Sequence, residues 1–492
     1  MGLFKKKNTK DELVQDSESA SEENQEEVKP YFVEQTSAFD SARARAGPTA
    51  SMMIVAVALG FIAGFIVWAA FVGSMVLTDL LWVEGVGEWQ KALVNTPLAG
   101  AWLPLVVTTI GGLIIGLWTK YTQAMPIPME AVMGQVKKNG KFGFKRPFAT
   151  IVGFLLPLVF GGTVGPEAGL TGLMAHSCTT IGGALRRRGI KMAGIADISI
   201  SAAFTGMFCN PLVGVTTAAS DGMPADDLKN DQGGFDPYTY NMKFGAKIIL
   251  YTAAALASVA GAYVFTAISG ASFGFPRFEG VVPGSGELYV IPLCLLLGYL
   301  GGFLYQGSGY LFGKLIDKMP DKVVLKPILA GVILGVIAIW CPMVMFPGEE
   351  QLFELQEEWQ TWTVALLIAT GLLKSAAGPM CIKMGWAGGG MFPVIYAGAA
   401  LGYGVALATG VDAMFCVALS TATLIAGTQR KIPMSLAFML LAFPPQTIVF
   451  SLLAIFIGVV APMPRAFFPD EEPKQKKKFF KNMKSEEELA EI

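Results

Sequence analysis

Gly161-Gly162-Thr163-Val164-Gly165-Pro166 interrupts an apolar stretch, with residues 148–160 ahead of it and residues 167–181 behind it both reading as apolar helix. Gly388-Gly389-Gly390-Met391-Phe392-Pro393 breaks the second half of the chain in the same way, between residues 364–373 and 394–407. These flanks fall short of the roughly 20 residues that cross hydrocarbon, so they read as half-spanning helices. The parallel continues downstream, where a further helix is opened by Gly194-Ile-Ala-Asp197 in one half and by Gly410-Val-Asp412 in the other. Corresponding Gly/Pro-interrupted segments in two halves point to a mid-membrane site built from broken helices. The two breakers are therefore expected to meet.

The rest of the chain agrees with a membrane setting. Of 492 residues, 53% are hydrophobic and only 15% charged. Apolar runs recur at residues 51–82, 102–118, 148–160, 247–268, 288–304, 325–340, 362–373 and 434–460. This predicts an all-α membrane protein of inverted repeats with many tilted and half-spanning helices. Residues 1–45 are polar, charged and poor in aromatics, a composition that does not offset ordering entropy. They read as a disordered cytoplasmic arm with no cleavable signal. Residues 46–464 form the transmembrane domain, with a first repeat at about 50–270 and a second at about 287–460 around the polar stretch 270–287, and residues 465–492 form a charged tail. Basic clusters at Lys5–Lys7 with Arg43 and Arg45, at Arg186–Arg188 with Lys191, and at Lys474–Lys484 place both termini in the cytoplasm of a multi-pass cell-membrane protein. They suit solvated charge beside the lipid bilayer better than nucleic-acid binding.

Enzyme chemistry has little to stand on. The six cysteines sit in or beside apolar segments without CxxC spacing, which gives neither a metal site nor a disulfide framework. His176 is the single histidine and reads as a packed core residue. No nucleotide loop or nucleophile with a base appears, and no cofactor is expected. Most of the 57 glycines read as close-packing positions between helices.

A helix that starts within the membrane exposes unpaired N–H groups and about half a positive charge, for which an anion is the natural partner. Glycines ahead of it let backbone approach the ion. Amides can replace part of the hydration shell without a Lys or Arg that would hold the ion too tightly to leave.

Gly162-Thr-Val-Gly-Pro166, and Gly389-Gly-Met-Phe-Pro393 followed by Gly398-Ala-Ala-Leu-Gly402, resemble the two filter motifs of the CLC chloride channel and transporter family. Phe208-Cys-Asn-Pro-Leu-Val-Gly214 and Lys326-Pro-x-x-x-Gly331 resemble two further helix openings of that family. The resemblance covers roughly residues 50–460. It implies a homodimer with one pore per subunit, small anions as cargo with chloride first, and an anion site at Met125, Pro126, Gly162, Val164, Gly165, Pro166, Gly390, Met391, Phe392 and Pro393.

The departures from the family pattern carry the functional reading. Met125, in Ala124-Met-Pro-Ile-Pro128, stands where the family has a chloride-coordinating serine. A hydrogen bond to an ion, worth about 1.5–3 kcal/mol, is lost there. Val164 stands where the family has its gating, proton-carrying glutamate, which leaves passive conduction as the expectation. Glu167 lies three residues on, about 60° off the Val164 direction on an ideal helix. It reads first as a carboxylate favoured at the start of its own helix and second as a substitute gate. Counting from the Pro of the Phe208–Gly214 motif brings Asp221 to the place of the family's internal proton-transfer glutamate, with a helix-ending surface Asp beside Asp226, Asp227 and Asp231 as an equal reading. The late pore tyrosine has no counterpart, since no Tyr follows Tyr403, and Phe450 is the candidate occupant. Three rival readings stay open: a proton-coupled antiporter using Glu167 and Asp221, selectivity for fluoride or another anion, and a non-conducting sensor or scaffold.

Overall fold

The computed structural model describes residues 50–93, 100–128, 131–132, 142–187, 202, 205–206, 244–270, 277–279, 285–319 and 322–468. Asp221, Asp197, Cys209 and the Phe208–Gly214 motif fall outside the described residues. Among the described residues the regular structure is helical: α1 (Ala50–Asp79), α2 (Leu103–Thr122), α3 (Pro147–Val159), α4 (Glu167–Arg187), α5 (Phe244–Ser269), α6 (Ile291–Asp317) and α7 (Leu325–Trp340). After these come α8 (Glu349–Glu358), α9 (Val364–Lys383), α10 (Met391–Thr409), α11 (Ala413–Gln429), α12 (Ile432–Ala442) and α13 (Ile448–Val460). Among the described residues six helices are long and apolar enough to cross a membrane, and α3, α7, α11 and α13 are shorter apolar helices. The chain is a multi-pass membrane protein.

Glycine sets how closely these helices approach. α2 and α7 cross where Gly112 meets the Pro327 backbone and Gly331 meets the Thr108 backbone, and a Cβ on either glycine would collide with main-chain atoms. Thr108 Oγ1 donates across the same crossing to Gly331 O at 2.7 Å. Gly398 and Gly402 bring α10 onto Thr421 and Val417 of α11 in the same manner. With no hydrophobic drive between helices in lipid, this backbone-close packing and the hydrogen bonds it permits hold the bundle.

α10 is the most enclosed candidate span, 89% buried against 33% for α2. The helix that begins at the second breaker therefore sits at the centre of the fold, with α9 and α11 as its main neighbours. It starts at Met391, three residues before the expected Val394. Pro393 thus lies inside the first turn, where a missing N–H leaves no bond unmade. The apolar helix expected to stop at Leu373 continues as α9 to Lys383 and takes in Lys374 and Pro379. The expectation ended the run at the first charge, whereas the structure satisfies that charge internally.

Candidate anion site

The breakers meet as expected. Gly165 N–H donates to Gly389 O and Gly389 N–H donates to Gly165 O, both at 2.7 Å. This two-residue antiparallel bridge ties the loop ahead of α4 to the loop ahead of α10. Thr163, Val164, Met391 and Phe392 around it are buried, while Gly388, Gly389 and Gly390 keep partial exposure. The bridge is held from both sides by tryptophans. Trp82 Nε1 donates to Val159 O at 2.8 Å and Trp386 Nε1 to Pro327 O at 2.9 Å, with the Trp386 ring against Gly162.

Glu167 occupies the site the bridge creates. The backbone N–H groups of Met391 and Phe392, the first two of α10, donate to Glu167 Oε1 at 2.9 and 3.0 Å. These are orphan donors of a helix N-terminus, with the positive end of the helix dipole behind them. A Cβ on Gly165 or on Gly389 would collide with the Glu167 carboxylate, so the two bridge glycines form its cradle. Glu167 keeps its expected place in the first turn of α4, and its carboxylate also serves the N-terminus of the opposite half's helix. The side chain reaches back over Gly165, which brings its carboxylate to the bridge. Val164 packs, fully buried, against Gly388.

The other expected residues are placed as follows. Gly162 and Pro166 are buried beside the bridge, Gly390 opens α10, and Pro393 lies in its first turn. Met125 lies with its thioether against Gly153 of α3, and Pro126 is buried next to it, so this pair is built onto the helix leading into the first breaker. Phe450 packs edge-on against Phe415, with ring centroids 5.3 Å apart. An aromatic hydroxyl lies beside the second breaker, that of Tyr305 of α6, pressed against Gly390. Gln429 Nε2 donates to Met391 Sδ at 3.1 Å. His176 is a hydrogen-bonded packing residue, its Nδ1 accepting the Phe144 N–H at 3.1 Å. Among the described residues no cluster of three or more metal-ligating side chains occurs.

One feature of the site was not expected from the sequence. Lys374, wholly buried in α9, donates to Met343 O and Met345 O at 2.8 Å, to Gln351 Oε1 at 3.0 Å and to Phe346 O at 3.1 Å. Its Nζ also sits 4.4 Å from the centroid of the Tyr396 ring of α10. The loop it gathers is the one that holds the first breaker: Phe346 N–H donates to Gly161 O at 3.0 Å, and Thr163 Oγ1 donates to Val344 O at 2.7 Å. Phe346 itself is held at φ 63°, a left-handed conformation that bulky residues rarely adopt. Lys374 thus fixes a strained loop on which the first breaker rests. The signal was present in the sequence, because a lone ionisable residue inside an apolar span marks a functional position by default.

The voltage gated chloride channel family model matches residues 109–462, which is most of the chain. The chain belongs to that family, known as CLC. A CLC-type fluoride/proton antiporter superposes with a TM-score of 0.62 at 16% identity, over 88% of this chain and 99% of that one. A slow cyanobacterial Cl-/H+ antiporter gives 0.63 at 14% identity over 84% and 95%, and a eukaryotic CLC transporter 0.58 at 15% over 83% and 71%. At these identities the likeness is one of fold. Among curated protein sequences none matches. The N-terminus of α10 thus holds the carboxylate of a glutamate that directly follows Gly165-Pro166.

Proposed function

We propose that this CLC protein moves small anions, chloride first among them, across a bilayer through the α10 amide site, with Glu167 as its gate. The observation that carries this reading is the pair of hydrogen bonds from Met391 and Phe392 to Glu167 Oε1. A carboxylate oxygen and a halide ask for the same donors. The anion and the Glu167 side chain therefore compete for one seat, and conduction requires the carboxylate to leave it. Protonation weakens its hold by removing the charge that makes such bonds strong, so an entering proton and an entering anion act in the same direction. Proton-linked anion exchange follows as the favoured transport mode. That two of the similar structures are named as proton antiporters supports it.

Passive conduction, the expectation from Val164, becomes the second reading. It is favoured by the buried aliphatic side chain that stands where a family member carries its gating carboxylate. Fluoride selectivity stays within the same site chemistry. The homodimeric state, the cell-membrane location and the cytoplasmic placement of both termini remain part of the proposal, the last supported by the basic clusters flanking the spans.

Reconstituted vesicles loaded with chloride, fluoride or nitrate, with internal pH recorded during efflux, test the proposal. Exchange predicts anion efflux with stoichiometric proton uptake, and loss of that uptake in Glu167→Gln. Efflux without proton movement in the unaltered protein selects passive conduction, and no efflux of any anion sinks the transport reading.

A further inference from the structure

Glu349 opens α8 at the end of the loop that Lys374 gathers, and the gate described above makes no use of it. Its Oε2 is sealed from solvent and has no hydrogen-bond partner among the described residues. Lys374 is fully buried, and no described carboxylate lies within ion-pair distance of it; Glu349 is the acid whose field reaches it. Glu349 is also within electrostatic reach of Glu167 in its seat. The remaining charged and titratable groups around it are Glu350 on its own helix and Tyr396 on α10, against whose ring Gly348 packs. One step further out, Asp79 at the end of α1 acts on Glu350, and Glu354 acts on Tyr396.

We propose that Glu349 is a second proton-binding carboxyl of the anion site, coupled through Lys374 and Glu167 to whether the α10 amides hold an anion. The inference rests on the transport reading above. When Glu349 is protonated, the Lys374 ammonium is unopposed and draws an anion toward the seat. When it releases its proton to water, the new carboxylate cancels that charge and repels anion and Glu167 alike. The Lys374 side chain, anchored on loop carbonyls, cannot swing away to form a direct pair, so the coupling acts through space. Burial pushes the Glu349 carboxyl up to about 8. Glu350 and Glu167 add to the rise, while its own backbone N–H and Lys374 oppose it. The change of state therefore falls where ordinary carboxylates are silent.

The isosteric Glu349→Gln variant separates this inference from the gate reading. Infrared spectra of the unaltered protein, titrated from acid to alkaline pH, are expected to show a protonated-carboxyl band that disappears near the Glu349 midpoint and is missing from Glu349→Gln. In vesicles, chloride flux of the unaltered protein is expected to fall about tenfold as pH rises through that midpoint, the factor that one pKa unit of coupling between two groups represents. Glu349→Gln is expected to keep the high flux and to retain the pH limb of Glu167. Identical infrared bands in the two proteins would overturn the inference even where flux is normal. A Glu349→Gln flux profile that superimposes on that of the unaltered protein, both still altered by Glu167→Gln, would overturn it while leaving the gate intact.

Discussion

The Gly165 and Gly389 backbones pair with each other in both directions at 2.7 Å, although 224 positions separate them in sequence. That bridge is the floor on which the Glu167 carboxylate rests, and both glycines are required to be bare for it to do so.

Gly389→Ala is therefore expected to act on a residue it does not replace. The added Cβ meets the end of the Glu167 side chain, which must leave the Met391 and Phe392 amides. Anion flux should rise and lose its dependence on Glu167, so that Gly389→Ala and the double variant with Glu167→Gln conduct alike. Flux in vesicles checks this. A double variant that still conducts several-fold faster than Gly389→Ala would contradict the cradle.

Glu167→Gln removes the negative charge but keeps the shape. Replacing a charged acceptor by a neutral one weakens each amide bond by on the order of 1 kcal/mol, which across the two bonds corresponds to a rise in anion affinity of about thirtyfold. Chloride binding measured by calorimetry in detergent should strengthen accordingly, and the acid-side change in flux should disappear.

Lys374→Met should be costly in stability. It leaves the carbonyls of Met343, Met345 and Phe346 and the Gln351 side chain without their shared donor, and it frees Phe346 from the contact that holds its left-handed backbone. Breaking a buried charge out of its network costs about 3–5 kcal/mol. Thermal unfolding in detergent should show a fall of several degrees or more. Above about pH 8, where Glu349 is ionised, Glu349→Gln introduced with it should lose less than the sum of the two single changes, since each removes the other's opposing charge.

Stability should also follow Glu349 with pH. Its carboxyl, raised from 4.5 to about 8, holds a proton in the folded protein that the unfolded chain has already released. The folded state thus binds more protons between those values, and its stability declines as pH rises from about 5 to 8. Above 8 this contribution levels off. The melting temperature of Glu349→Gln should be flatter over the same range.

Much of the architecture was legible from period and punctuation alone. Long apolar runs gave the spans, and Gly161–Pro166 and Gly388–Pro393 identified the breakers and their meeting. The side-chain chemistry was harder to read. Glu167 was judged by the angle its Cα takes on α4, but a glutamate side chain can cross to another helix, and nothing in the local sequence says that the α10 amides lie within its reach. Lys374 was passed over because hydropathy treats a lysine as the end of an apolar run. What permits it inside α9 is a set of carbonyls some thirty residues earlier, around Met343–Phe346, together with the ring of Tyr396. Tyr305 supplies an aromatic hydroxyl beside Gly390 from α6, earlier in the chain than a search for a late tyrosine would look. In each case the missing information was a contact between elements far apart in sequence.

Where Glu167 is attached has a consequence for speed. A gate carried on a loop must drag backbone with it, and its opening is then limited by loop motions of nanoseconds to microseconds. Glu167 is rooted in the first turn of α4, a 21-residue helix. Opening then needs only rotation about the side chain's own bonds, intrinsically a picosecond-to-nanosecond event. Under the gating proposed above, the time the site spends shut is governed by how strongly two amides hold one oxygen, and ligand chemistry rather than protein motion becomes its clock.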